Sequence, residues 1–395
     1  ELKAGLTRRN AFRGGEKLDV NIHGSYTWET NKRNSSSNYE YGADLSVEFP
    51  RIIAPFFKEF RVKRDSAGRV IRRRFFSQSS TMAKLSTNTV YRLYYYRMNG
   101  VSGEWTCRWQ TSPTSKHEFS PLTVKYRFTK TLSSRLDSLM AENLYLVGMM
   151  EDMFVPQMRY TYIYTSPSSC LNPIRWEFTL AESGNLLSLG MMAAGKDWNE
   201  VGKKLFKTSY AQFLKFETDF RKTWTLDLNS QLLAHVNAGI IYNYGNSDYI
   251  PFSEQFYVGG ANSVRAFTVR SIGPGHYHND ASANIYYLDQ TGDLMFQANL
   301  EYRPRLFGNL YGALFLDAGN VWVMHSDDRI GVKFEPKNAL RDMALGTGVG
   351  LRYDMDFLVI RLDWGVGLHV PYLSLRHIGR CRRTTLCRSR WSPEN

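Results

Sequence analysis

The sequence predicts an all-β fold, a transmembrane antiparallel β-barrel. Three observations predict it. Apolar and polar residues alternate strictly along about fourteen segments, so each segment has one apolar and one polar face. Many of the segments run for 10 residues or more. A membrane-crossing strand needs about 9–11 residues, whereas ordinary strands cluster near 5–6. Aromatic residues (Tyr26, Trp28, Trp224 and Tyr242) sit at segment ends on the apolar face, as aromatic girdles do in membrane barrels. The alternative is a large soluble β-protein with charged solvent faces.

The segments follow in order. Leu18 to Glu29 alternates Leu18, Val20, Ile22, Gly24, Tyr26 and Trp28 with Asp19, Asn21, His23, Ser25, Thr27 and Glu29. Asn31–Asn38 reads as a polar loop before the next alternating segment, Tyr39 to Phe49. Lys58 to Arg74, rich in Arg and Lys, reads as a charged hairpin tip that a lipid headgroup or a partner could contact. Leu132 to Phe154 spaces its leucines and methionines closer to helical periodicity and predicts a short helix in a connection. Leu214 to Phe220, a turn near Arg221 and Lys222, and Trp224 to Tyr242 follow. Phe296–Tyr302, Leu310–Asn320, Met343–Asp354 and Leu358–Val370 complete the pattern. Asp44, Glu217, Asp227, Glu301, Asp317, Arg361 and Asp363 place full charges mid-strand on polar faces. A wet lumen accepts such charges.

Composition narrows the function classes. The 395-residue chain has a net charge of +13. Six arginines and one glutamate between Leu373 and Asn395 supply +5 of it, and the remainder does not call for a nucleic-acid partner. No stretch of 18 apolar residues exists, which excludes a transmembrane helix. No basic and apolar leader opens the chain, so no signal peptide is expected in it. Cys107, Cys170, Cys381 and Cys387 match no zinc spacing, and a Cys107–Cys170 pair is left open. No Walker A sequence, Gly-x-Ser-x-Gly elbow or His-Glu-x-x-His occurs. Gly346, Gly348 and Gly350 lie inside an alternating strand and read as bend or close-approach positions. His276, His278 and Asp280 form the one compact metal-like cluster, in a loop. The expectation is no metal, no cofactor and no enzymatic chemistry.

One stretch is distinctive: Pro251-Phe-Ser-Glu-Gln-Phe-Tyr-Val-Gly259-Gly260-Ala-Asn-Ser-Val264-Arg265-Ala266-Phe267-Thr-Val-Arg-Ser-Ile-Gly-Pro274. It resembles the Gly-Gly…Val-Arg-Gly-Phe…Gly-Pro loop of the BamA/TamA superfamily of outer-membrane assembly barrels, the bacterial surface antigens, with Ala266 where that family has Gly. Leu314-Phe315-Leu-Asp317-Ala-Gly319-Asn-Val-Trp322 resembles the family's Phe-x-Asp-x-Gly-x-Val-Trp strand. Asn299-Leu-Glu301-Tyr-Arg303 and the Gly-rich turn Asn10–Glu16 fit as well. The order of these pieces holds to about Tyr372, and the wording is closest to Bacteroidetes-like versions.

The resemblance implies that a long loop folds back into the lumen and that Arg265 is held by Asp317 and Glu301. Strand parity agrees from its own side. Glu301 lies opposite Phe296, Ala298, Leu300 and Tyr302, and Asp317 lies opposite Leu314, Leu316 and Ala318. Both acids therefore face the polar side. An Arg between two carboxylates in a dry site makes breaking one side cost about 3–5 kcal/mol. Ala266 is expected to alter the turn, because Gly permits positive φ and Ala resists it.

The implied function is insertion of other β-barrel proteins into the bacterial outer membrane, by client strand addition at a lateral seam. The implied partners are the outer-membrane bilayer and nascent β-barrel clients, with accessory lipoproteins as a further partner. A secretion pore of the two-partner type, or a passive channel, is the alternative. The family has sixteen strands and preceding POTRA repeats. Here residues 1–372 read as the barrel, with the first and last strands expected to be missing. Residues 373–395 read as an Arg-rich tail outside the barrel, in the manner of an out-of-frame segment.

Overall fold

The computed structural model describes residues 2–31, 34–53, 63–64, 66, 70–72, 79–92, 96–131, 151–198, 200, 202–205, 208–247, 250–277, 290–324, 329, 331–355, 358–371 and 385–387. The first half of the chain forms β1 (Leu2–Arg9), β2 (Lys17–Asn31), β3 (Asn34–Phe49), β4 (Lys63–Arg64), β5 (Val70–Arg72), β6 (Ser80–Arg92), β7 (Tyr96–Ser112), β8 (Ser115–Thr131), β9 (Met153–Thr165) and β10 (Ile174–Ser183). Helix α1 (Asn185–Ala193) follows, then β11 (Lys204–Leu205), β12 (Thr208–Ser209), β13 (Phe213–Asp227) and β14 (Ser230–Asn243). The chain continues through β15 (Leu294–Phe307), β16 (Leu310–Trp322), α2 (Ala339–Asp342), β17 (Ala344–Asp354), β18 (Val359–His369) and β19 (Thr385–Cys387).

The main sheet has fifteen strands in the order β1-β2-β3-β6-β7-β8-β9-β10-β13-β14-β15-β16-β17-β18-β19. Sequential strands pair as antiparallel neighbours, from Leu2↔Gly24 to Arg9↔Lys17 between β1 and β2 and from Leu294↔Trp322 to Phe307↔Leu310 between β15 and β16. The pairs β4–β5 and β11–β12 stand apart. No helix among the described residues is long and apolar enough to cross a membrane.

The two faces decide the architecture. On β16, Leu314 and Leu316 are exposed while Ala313, Phe315, Asp317 and Val321 are buried. On β15, Phe296, Leu300 and Tyr302 are exposed while Gln297 and Glu301 are buried. A soluble sandwich buries its apolar face. Here the apolar face is outside and the polar face inside, as in strands that face lipid. Tyr26, Trp224 and Tyr242 are exposed on that outer face.

The chain divides into two compact units. The first comprises Glu1–Ile163, Thr179–Leu214 and Asn243–Pro251. Its inner face carries Glu104, which accepts from Thr106 Oγ1 at 2.7 Å, Ser120 Oγ at 3.2 Å and Arg159 Nη2 at 2.7 Å. The second comprises Tyr164–Phe178, Lys215–Tyr242 and Phe252–Asn395, and it holds the distinctive loop.

Several sequence expectations need correction. Of the loop expected over Asn31–Asn38, residues 32 and 33 lie outside the described residues, while Asn31 ends β2 and Asn34–Asn38 open β3, with Trp28 opposite Ser37. Ladder hydrogen bonds carry these polar residues in strand despite their turn-like composition. No turn falls at Arg221–Lys222, because β13 runs unbroken to Asp227. The even-numbered apolar positions never slip across that point. Asp227 is therefore not mid-strand but ends β13, where it accepts from Asn229 N at 2.6 Å and Ser230 Oγ at 2.7 Å. Of the helix expected over Leu132–Phe154, residues 132–150 lie outside the described residues, while Met153 and Phe154 open β9. Lys63–Arg64 and Val70–Arg72 do pair as a hairpin. The Arg-rich tail is not wholly apart from the sheet, since Thr385–Cys387 pairs with Asp363–Gly365. Cys107 and Cys170 are free thiols.

Candidate functional site

The site is built where residues 251–277 lie against the inner face of β14–β18. The segment enters through a ladder-like pair, with Phe256 N donating to Gly292 O at 2.9 Å and Gly292 N to Phe256 O at 2.9 Å. It then turns tightly. Gly259 and Gly260 have φ of 106° and 98°, which L side chains rarely adopt. A Cβ on Gly259 would also meet the Thr268 carbonyl oxygen at 2.2 Å. Gly260 N donates to Phe267 O at 2.9 Å and Phe267 N to Val264 O at 3.1 Å, closing a compact turn around Arg265. Ser263 Oγ accepts from Gly259 N at 3.0 Å and donates to Gln297 Oε1 at 2.7 Å.

Arg265 is the centre. Its Nε donates to Asp317 Oδ2 and its Nη2 to Asp317 Oδ1, each at 2.8 Å. Its backbone N reaches the same Oδ2 at 3.0 Å. Its Nη1 donates to Glu301 Oε2. The guanidinium carbon sits 3.6 Å from the Phe315 ring centroid. This is a two-pronged carboxylate contact with a ring beneath it, a geometry that Lys cannot reproduce. Arg265 is 6% exposed and Asp317 is fully buried. Burial alone pushes the guanidinium pKa down. The hydrogen bonds and charge of Asp317, with Glu301, outweigh it and hold the pKa above its ordinary value.

The acids are themselves held. Asn299 Nδ2 donates to Asp317 Oδ1 and to Ser263 O, both at 2.8 Å. Arg303 Nε donates to Glu301 Oε1 at 2.6 Å. Arg352 Nη2 lies 3.3 Å from Glu301 Oε1, and its Nη1 donates to Asp363 Oδ1 at 2.6 Å. Arg361 Nε meets Asp363 Oδ2 at 2.8 Å and its Nη2 donates to Ala261 O. On the other side, His235 lies 3.0 Å from Asn299 Oδ1 and 2.7 Å from Asp219 Oδ2. The result is a continuous polar network across six strands, β13 to β18, with the loop as one member.

Close approach is made by absent side chains. A Cβ on Gly319 would meet Val258 at 2.9 Å and Val264 at 3.0 Å; one on Gly346 would meet the Ala266 Cβ at 2.7 Å. One on Gly365 would meet the Ala266 backbone at 3.0 Å, and one on Gly367 the Phe267 ring at 3.1 Å. The strain expected at Ala266 does not arise, because Ala266 is not among the residues with positive φ. The rest of the segment is pinned further along. Gly275 N donates to Val321 O at 2.7 Å, Asn320 Nδ2 to Gly275 O at 2.9 Å, and Trp322 Nε1 to Asp342 Oδ2 at 3.2 Å.

The structure thus brings together Gly259, Gly260, Val264, Arg265, Ala266, Phe267, Glu301, Phe315, Asp317 and Gly319. Trp322 packs at the far end of the same segment. Sequence reasoning missed Ser263, Asn299, Arg303 and Arg352 as members. Of the His276, His278 and Asp280 cluster, His276 Nδ1 faces Asp342 Oδ1 at 3.2 Å, and the other two lie outside the described residues. Among the described residues no group of three or more His, Cys, Asp and Glu side chains could hold a metal ion.

Residues 175–371, which contain every member of this network, match the Omp85 superfamily domain. The chain carries an Omp85 superfamily domain. Two relatives share 26% identity with it. One is the sorting and assembly machinery component 50 homolog A of Xenopus laevis, matched over 176 residues, 44% of this chain and 35% of that protein. The other is the sorting and assembly machinery component 50 homolog of Bos taurus, matched over 182 residues, 44% of this chain and 34% of that protein. The match thus spans about a third of the length of these relatives. The crystal structure of BamA from Haemophilus ducreyi lacking POTRA domains 1-3 superposes with a TM-score of 0.57 at 14% identity, over 93% of this chain and 63% of that one. That likeness shows the fold. The Omp85 domain belongs to an all-β transmembrane antiparallel barrel, and the protein is an outer-membrane β-barrel protein.

Proposed function

We propose that residues 1–372 are the barrel portion of an outer-membrane assembly factor that inserts other β-barrel proteins. In this reading a client strand adds to an edge of the sheet, and no covalent step is involved. The observation that carries the reading is the latched loop: Arg265 and Asp317 hold residues 251–277 on the inner face of β14–β18, inside the segment that matches the Omp85 superfamily domain. The latch makes those strands one firm body, and rows of N–H and C=O groups at a sheet edge are a template for an added strand, for which lipid offers no substitute. The partners are then the outer-membrane bilayer and unfolded β-barrel clients, with accessory lipoproteins as a further class.

The test is insertion into vesicles. The full chain is refolded into phosphatidylcholine/phosphatidylglycerol liposomes, and a urea-unfolded outer-membrane β-barrel client is added. The reading expects protease-protected, heat-modifiable client to accumulate faster than in empty liposomes. It also expects a cysteine placed in β1 to cross-link to the client's terminal strand. Client insertion no faster than in empty liposomes overturns it, and steady ion conductance without insertion points to a channel or secretion pore instead.

A further inference from the structure

Helix α1 is inside out. Its polar side chains point into the protein, Leu187 and Met191 are half-buried, and Leu186, Leu189 and Met192 point away. Ser188 is fully buried; its Oγ donates to Gln212 Oε1 at 2.9 Å and lies 2.8 Å from the Tyr210 hydroxyl. Asn185 Oδ1 accepts from the Tyr244 hydroxyl at 2.9 Å. Leu186, Leu189 and Met192 are 62%, 49% and 49% exposed. A helix on a water-facing surface has the opposite arrangement.

Three further facts say what covers this face. The run from Asn185 to Gly195 contains no charged residue, and charge returns only at Lys196 and Asp197. The helix is joined to the lipid-facing sheet without a linker. Gly184, with φ of 78°, turns the chain directly from β10 into α1, and a Cβ there would meet the Ala211 carbonyl oxygen at 2.5 Å. The outward residues that precede and follow in the same compact unit, Leu180 on β10 and Leu214 on β13, are each 43% exposed on the apolar outer face. The apolar face of α1 continues that surface.

We propose that α1 is an interfacial membrane helix, whose Leu186, Leu189 and Met192 side chains lie in the headgroup–acyl boundary of the surrounding bilayer. The occupant is lipid, on the grounds of continuity with the lipid-facing strands. The polar tether through Ser188 and Asn185 fixes which face meets it. Such helices bury their apolar side about 5–10 Å into the boundary. The consequence is a local one: the apolar band of the protein extends past the end of β10.

The experiment places a nitroxide at Leu189→Cys, and separately at Met192→Cys, in a chain with Cys170, Cys381 and Cys387 changed to Ser. Each variant is refolded into phosphatidylcholine/phosphatidylglycerol vesicles and kept only if its heat-modifiable mobility matches the parent. Collision rates with oxygen and with a water-soluble nickel chelate are then compared. Leu180→Cys serves as the lipid-facing reference and Asp197→Cys as the aqueous one. The proposal expects oxygen to dominate at both α1 positions, as at Leu180→Cys. Nickel dominance like that at Asp197→Cys overturns it. Shielding from both reagents also overturns it, and would mean that protein covers the helix, such as residues 132–150 of this chain or a second copy.

Discussion

Two ion pairs on the inner face look alike by distance and differ in everything else. Arg265 meets Asp317 at 2.8 Å and Arg159 meets Glu104 at 2.7 Å. The side chains of the first pair are 6% and 0% exposed; those of the second are 36% and 22% exposed. The first is covered by the Gly259–Phe267 turn and stacked on Phe315. The second lies on an inner face held by hydroxyl groups, with Arg159 open to solvent. Distance therefore says little about how much a pair stabilises. Burial and the number of committed donors say more, because a buried charge that loses its partner has no water to replace it.

The sharpest way to break the contrast is Asp317→Ala. It removes three of the hydrogen bonds that hold Arg265, leaves it Glu301 as its one carboxylate, and is expected to cost about 3–5 kcal/mol of local stability. Limited proteolysis should then cut within residues 251–277 while the strands stay intact. Gly365→Val tests the same latch without touching a charge. Its added atoms would overlap the Ala266 backbone, and a cost of about 1–3 kcal/mol is expected, read as faster cutting of the same segment. Arg265→Lys keeps the charge but loses the second prong and the stack on Phe315. An effect of about 1–2 kcal/mol is expected, smaller than that of Asp317→Ala in the same assay. Arg159→Ala should change stability by no more than about 1 kcal/mol, seen as an unshifted heat-modification temperature. An Arg159→Ala effect as large as that of Asp317→Ala would erase the distinction between the two pairs.

Much of this was legible in the residues. Alternation alone put Glu301 and Asp317 on the polar face, because parity cannot change within an unbroken strand. Parity does not place turns, however: the apolar positions stay even-numbered from Leu214 to Tyr242, through Arg221–Lys222, where the strand continues, and equally across the real turn between Asp227 and Ser230. What parity cannot give is which loop covers which face. Arg265 lies 36 residues from Glu301 and 52 from Asp317, and only the motif resemblance pointed across that distance. The further arginines had a signal that was passed over. Positions 346, 348, 350 and 352 read Gly, Gly, Gly, Arg, and positions 361, 363, 365 and 367 read Arg, Asp, Gly, Gly. Small residues followed by charges on every second position describe a face that must admit a backbone and then pair with it. Asn34–Asn38 misled for the opposite reason, since local turn propensity lost to the hydrogen-bond ladder of a long hairpin.

The central claim is that Arg265 and Asp317 latch residues 251–277 onto the inner face. Hydrogen–deuterium exchange of residues 259–268, in the refolded chain in detergent micelles, tests it most directly. The account predicts strong protection in the parent chain, and amide exchange faster by a factor of about 10²–10⁴ in Asp317→Ala, the range that about 3–5 kcal/mol spans. Exchange in β15 and β16 beyond the site should barely change. Equal exchange of residues 259–268 in the parent and in Asp317→Ala would contradict it.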